Sequence, residues 1–145
     1  MISFKLLSPL AKVPVYATEG ASACDIFSAN EEPVVIPAGE IRLIPTGFAM
    51  EGAPNDVTIL LFARSGLAAK HGIALANGVG VIDPDYRGEV KAALINNSKT
   101  DYTVMPGDRI AQMMFVPIIR PQFAVTDSLS ETERGEGGFG HTGSR

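Results

Sequence analysis

Apolar side chains along the chain fall in short runs: Val34–Ile36, Ile41–Met50, Val57–Ala63, Glu89–Ile95, Tyr102–Met105 and Ile110–Ile119. Several have the β-branched or aromatic content and the turn-bounded spacing of strands in an all-β sandwich or barrel. Prolines at 9, 14, 33, 37, 45, 54, 84, 106, 117 and 121, with 15 glycines, interrupt most of the sequence. The longest stretch without either, Glu89 to Met105, is itself broken by Asn96-Asn97-Ser98. Both residues disfavour helix interiors, so long helices have little room. One short helix is expected over Gly66 to His71, with Ser65 as N-cap and Gly72 as terminator. Asn77-Gly78 is a strong hairpin signal and predicts a tight turn within Ala76 to Val81.

Composition narrows the class. A length of 145 residues suggests one domain, which buries roughly two-thirds of its unfolded surface. The lone Cys24 cannot form an intrachain disulfide, and a reducing, cytoplasmic setting is expected. Twelve Lys plus Arg against sixteen Asp plus Glu give a net charge of −4. That balance argues against a broad nucleic-acid or anionic-membrane surface and leaves room for a local basic pocket. The longest apolar run, Met113 to Ile119, contains Pro117, so no membrane span is expected. The opening MISFKLLSPLAKVP, with Pro9 in its short apolar stretch, does not read as a signal peptide. Mean hydropathy is +0.16, apolar for a small acidic protein with few aromatics, and this hints at a buried subunit interface.

The final segment, GEGGFGHTGSR, contains five glycines and costs much entropy to order. A frayed tail is the plain reading. Phe139 argues for more, because a flap that closes over a flat ligand needs such a ring between its glycines.

The candidate chemistry is ambiguous residue by residue. Asp83 lies in GVGVIDPDYRGEV, where Pro84 presets a turn and Asp83 is by spacing a turn former. Asp25 follows an apolar stretch and reads as a cap. Arg64-Ser65-Gly66 follows a strand and opens the helix, a natural place for an anion, although Ser65 as a cap suffices. Gly107-Asp108-Arg109 reads as a turn into the strand carrying Gln112. His71 and His141 are far apart, and one Cys leaves no zinc spacing. No Gly-x-Ser-x-Gly elbow is present, and GEGGFG lacks the strand–helix context of a dinucleotide site.

Taken together, five segments resemble the motifs of one family, the homotrimeric dUTP pyrophosphatases, in that family's order. They are TEGASACDIFS, ARSGLAAKHGI, NGVGVIDPDYRGEV, PGDRIAQM and RGEGGFGHTG. Departures are mild: Ala23-Cys24 replaces a more usual Gly and aromatic, and Pro84 occupies a variable position.

The resemblance implies a jelly-roll-like β-barrel or sandwich over 1–130 and a flexible Gly-rich arm over 131–145 that closes the site. It implies hydrolysis of dUTP to dUMP and pyrophosphate, which limits uracil in DNA and supplies dUMP for thymidylate synthesis. Asp83 would be the general base on the attacking water. Mg²⁺ would bridge the phosphates, with Asp25 acting on it through water. Arg64, Ser65, Gly66 and Gln112 would grip the phosphates. The backbone from Asn77 through Val81 and Ile82 would read uracil, Tyr86 would exclude ribose, and Lys91 would line the pocket. Arg134, with the backbone of Gly138, Gly140 and Thr142, would reach the β- and γ-phosphates while Phe139 stacks on the base. The partners implied are dUTP and two further copies of the chain, with each site shared between subunits.

Two other readings stand beside this one. The related dCTP deaminases carry a catalytic Glu on the strand after the turn; aligned on Gly88 and Asn96, that place holds Ala93. A nucleotide-sensing protein on an inactive scaffold is the second, and the intact Asp83, Tyr86 and Phe139 argue against it.

Overall fold

The computed structural model describes residues 1–138. Of the residues singled out above, Phe139, Gly140 and Thr142 lie outside the described residues. Among the described residues, eleven strands and one helix follow in order. They are β1 (Ser3–Leu6), β2 (Cys24–Phe27), β3 (Val34–Ile36), β4 (Ile41–Pro45), β5 (Phe48–Glu51) and β6 (Val57–Phe62), then α1 (Ser65–His71). The second half holds β7 (Ile73–Leu75), β8 (Gly80–Ile82), β9 (Lys91–Asn96), β10 (Tyr102–Val104) and β11 (Arg109–Pro117).

A four-stranded sheet in the order β2-β11-β6-β8 and a three-stranded sheet β4-β9-β7 carry most of the structure. The pairs β1-β5 and β10-β3 complete it, and every ladder is antiparallel. Alternation along each strand turns one row of side chains inward. Cys24, Ile26, Ile59, Leu61, Ala111 and Met113 from the larger sheet share one buried cluster with Ile44, Ala92, Leu94 and Ile73 from the smaller. Each fully buried Ile or Leu contributes about 1.5–3 kcal/mol by leaving water. The fold is all-β, as the punctuation of the sequence predicts, and jelly-roll-like, as the resemblance implies.

Several boundaries differ, each for a physical reason. The run Ile41–Met50 is two strands: β4 pairs with β9 and β5 with β1. The break falls at Gly47, whose φ of 70° is left-handed, and where a Cβ would come within 2.8 Å of the Cβ atoms of Ala11 and Ala29. Strands β1, β2, β7 and β8, of 3–4 residues each, fall outside the runs that the sequence marks.

The helix N-cap is Arg64, with an extended backbone and no side-chain cap bond; Ser65 is already helical. Gly72 closes the helix in the left-handed conformation, as expected, and its N–H donates to Ala68 O and Leu67 O. Asn77-Gly78 does form a turn, with φ 72° at Gly78 and its N–H donating to Leu75 O. The flanking strands do not make a hairpin ladder, because β7 pairs with β9 and β8 with β6. The turn thus passes the chain from one sheet to the other.

Among the described residues, no helix is long and apolar enough to cross a membrane. Residues 118–138 carry neither helix nor strand. Ile119, Phe123, Val125 and Leu129 lie exposed along them.

Candidate active site

Asp25 is at the centre of the first group of functional side chains. It occupies mid-strand β2, not a cap position, and is only 5% exposed. Its Oδ1 accepts from Arg64 Nε at 3.1 Å and from Gln112 Nε2 at 3.4 Å; Oδ2 accepts from an Arg109 guanidinium nitrogen at 3.2 Å. Burying a lone carboxylate is costly, and these partners remove that cost. The row Asp25–Gln112–Phe62 runs straight across β2, β11 and β6 on the face opposite the core row Cys24–Met113–Leu61.

Arg109 and Gln112 are three residues apart, so a regular strand would place them on opposite faces. A register shift between Arg109 and Ala111 supplies one extra residue, Ile110, whose side chain is buried. The bulge restores both residues to the Asp25 face. In sequence Arg109 reads only as part of a turn, because the 109/112 spacing carries no sign of a bulge.

Two guanidiniums against one carboxylate leave this rim net positive. The Arg64 side chain is 24% exposed and that of Arg109 52% exposed, so both can reach a ligand. Ser65 and Gly66 are exposed beside them at the start of α1, with open space above Gly66. The arrangement is chemically suited to gripping phosphate oxygens.

The second group lies on the turn after β8. The Tyr86 N–H donates to Asp83 O at 3.1 Å, closing a turn with Pro84 at its second position, as the sequence predicts. Asp83 is exposed, and its carboxylate accepts no hydrogen bond among the described residues. Arg87 braces the turn, donating to Pro84 O at 2.8 Å and Tyr86 O at 3.1 Å. The Tyr86 hydroxyl donates to Glu89 O at 3.2 Å, and Glu89 pairs with Lys91 at 3.3 Å. An open cleft of about 370 Å³ brings Ile82, Tyr86 and Lys91 together with Leu43, Glu89 and Val90. Asn77 and Val81 are exposed nearby along the same segment. Arg134 is exposed in the C-terminal segment, its Nε donating to Gly137 O at 2.9 Å, and Gly138 is half-buried.

The two groups are not in contact. Ile82 pairs with Ile59 in the β8–β6 ladder, so Asp83 leaves that ladder at the Thr58 end of β6. Arg64 leaves β6 beyond Phe62, at its other end. Six residues of strand separate those ends, about 20 Å at strand rise.

Two groups near the first rim titrate unusually. Burial pushes the Cys24 thiol up, and the Asp25 charge adds to the shift. Its Sγ donates to Met113 O at 3.3 Å, and a protonated, inward thiol is a packing element and not a nucleophile. Burial likewise raises Tyr102, with Asp108 adding to it. Tyr102 packs against His71 with ring centroids 5.2 Å apart.

Fold and site together define a jelly-roll protein with an anion-gripping rim and a turn-borne carboxylate held apart from it. A family model described as dUTPase matches residues 10–143, and the chain belongs to the dUTPase family. It is 52% identical over 132 residues to a deoxyuridine 5'-triphosphate nucleotidohydrolase of Desulfitobacterium hafniense, covering 91% of this chain and 87% of that protein. The corresponding Enterobacter protein is 42% identical over 146 residues, covering 98% and 96%.

Among solved structures, a mutant Staphylococcus bacteriophage 80alpha dUTPase with dUpNHpp superposes with a TM-score of 0.87 at 28% identity, covering 99% of this chain and 98% of that one. A mutant dUTPase from phage phi11 of S. aureus, described with a structural Mg(II) ion, has a TM-score of 0.80 at 25% identity. It covers 90% of this chain and 99% of that one.

Proposed function

We propose that the chain carries out its family's reaction, hydrolysis of dUTP to dUMP and pyrophosphate, in a site that copies of the chain assemble together. The observation behind this is the separation just described. The base candidate Asp83 and the phosphate grip at Arg64 stand at opposite ends of β6, about 20 Å apart, and a triphosphate cannot touch both on one chain. A homotrimer that sets the rim of one copy against the turn of the next supplies both. Exposed Leu43, Val79 and Val81 beside the turn give apolar surface for such contacts.

In this reading Asp83 takes a proton from water, whose oxygen attacks the α-phosphorus as pyrophosphate leaves. Arg64, Ser65, Gly66, Arg109 and Gln112 hold the triphosphate and spread its roughly four negative charges. Strand β8 is at a sheet edge. Alternate N–H and C=O groups between Asn77 and Ile82 therefore point away from β6 and can read the edge of uracil. Cytosine reverses that donor–acceptor pattern and leaves groups unpaired, at about 1–3 kcal/mol each. Tyr86 packs on the deoxyribose and excludes a 2′-hydroxyl, while Lys91 lines the pocket. The arm 131–145 closes over the ligand: Arg134 and the backbone of Gly138, Gly140 and Thr142 reach the outer phosphates, and Phe139 stacks on the base.

No three His, Cys, Asp or Glu groups converge as a cation cage among the described residues. Asp25, the carboxylate of the rim, would act on Mg²⁺ through water. When bound, Mg²⁺ supplies charge neutralisation and alignment of the phosphates. The lone buried Cys24 suits a reducing cytoplasm.

The test is pyrophosphate release from dUTP, UTP, dCTP and dTTP with Mg²⁺ present. Strong preference for dUTP is expected. Release of ammonia from dCTP, or no turnover of dUTP, would overturn the reading.

A further inference from the structure

The ring of Tyr86 folds back across Gly88, two residues further along the same turn. Gly88 is not among the glycines with a positive φ, so no left-handed backbone demands glycine there. What excludes a side chain there is the tyrosine. A Cβ on Gly88 would stand 2.5 Å from Tyr86 Cζ and 2.9 Å from Cε2, and nearer still to the hydroxyl. Chain neighbours aside, its three nearest atoms all belong to that ring.

The ring's seat is anchored from below. Its hydroxyl donates to Glu89 O at 3.2 Å, and the Glu89 carboxylate accepts from Gly47 N–H at 2.9 Å. The Glu89–Lys91 ion pair at 3.3 Å fixes the same residue from the other side. Tyr86 itself is 47% exposed. A side chain at 88 would therefore swing the ring outward and leave the backbone in place.

We propose that Gly88 is a specificity-determining residue of the dUTPase reaction: its missing side chain lets the Tyr86 ring lie where it admits deoxyribose and rejects ribose. This inference rests on the reading of Tyr86 as the sugar gate. A gate discriminates one oxygen atom only if it is placed to within a fraction of an ångström, and Gly88 sets that placement. Gly88 therefore acts through Tyr86 and not on the substrate.

The experiment compares wild type with Gly88→Ala, Tyr86→Ala and the double variant. It measures kcat/KM for dUTP and for UTP, together with melting temperature and oligomer mass. Gly88→Ala should lower the dUTP/UTP ratio by about tenfold or more, with an unchanged oligomer. In the Tyr86→Ala background the same substitution should change neither the ratio nor the melting temperature, since nothing remains for the methyl group to meet. If Tyr86→Ala loses discrimination and Gly88→Ala keeps it, the role of Gly88 is wrong and the gate stands. If Tyr86→Ala keeps discrimination, the gate and the inference fall together. Should Gly88→Ala fail to fold, rescue by Tyr86→Ala supports the contact, and no rescue overturns it.

Discussion

Replacing Asp83 by Asn preserves the size of the side chain and the turn closed by Tyr86 N–H, while removing the carboxylate that would take the proton. Asp83→Asn should bind dUTP within a few-fold of wild type and lose at least about a hundredfold in kcat. Calorimetric binding beside pyrophosphate release separates the two effects, and undiminished turnover would remove Asp83 from the base position. At this scale the sequence was a poor guide to surroundings. Spacing alone made Asp25 a cap and Asp83 a turn residue. Only the second reading held locally, since Asp25 is buried mid-strand under two arginines. The Asp25 carboxylate's partners come from the junction of β6 and α1 and from β11, and no local pattern joins positions 25, 64, 109 and 112.

Elements were legible where a turn-bounded apolar run marked them. The runs at Val57 and Ile110 predict β6 and β11 to within two residues, because six or nine alternating positions carry a period. Among the short strands, β3 and β10 fall in runs that the sequence marks, whereas β7 and β8 flank or enter the turn expected over Ala76 to Val81 and carry no run of their own. The bulge at Ile110 was invisible for another reason: it depends on how β11 registers with β2 and not on its own residues. The C-terminal arm is the element whose role rests most on sequence. β11 ends at Pro117, and the described residues of the arm, 131–138, carry no strand. Truncation after Glu133 should therefore leave the melting temperature and oligomer mass unchanged and lower kcat/KM for dUTP by about a hundredfold or more. A cooperative loss of folding would contradict the lid role.

For the whole molecule, the apolar surplus seen in composition now has addresses. Leu43, Val79 and Val81 lie exposed beside the Asp83 turn, and Ile119, Phe123, Val125 and Leu129 along the C-terminal segment. The net charge of −4 likewise coexists with a positive rim, since Arg64 and Arg109 converge on one carboxylate. On the proposed reading neither group of site residues is complete alone, since they leave β6 at opposite ends. The most direct measurement mixes two variants that each lack one half of the site: Asp83→Asn, and Arg64→Gln, which retains a hydrogen bond to Asp25. Each homo-oligomer should be nearly inactive on dUTP. Co-refolded in equal amounts, with mixed oligomers verified by native mass spectrometry, they should regain about a quarter of wild-type pyrophosphate release, because that share of sites draws both intact residues from different copies. Mixed oligomers as inactive as their parents would contradict a shared site and return both halves to a single chain.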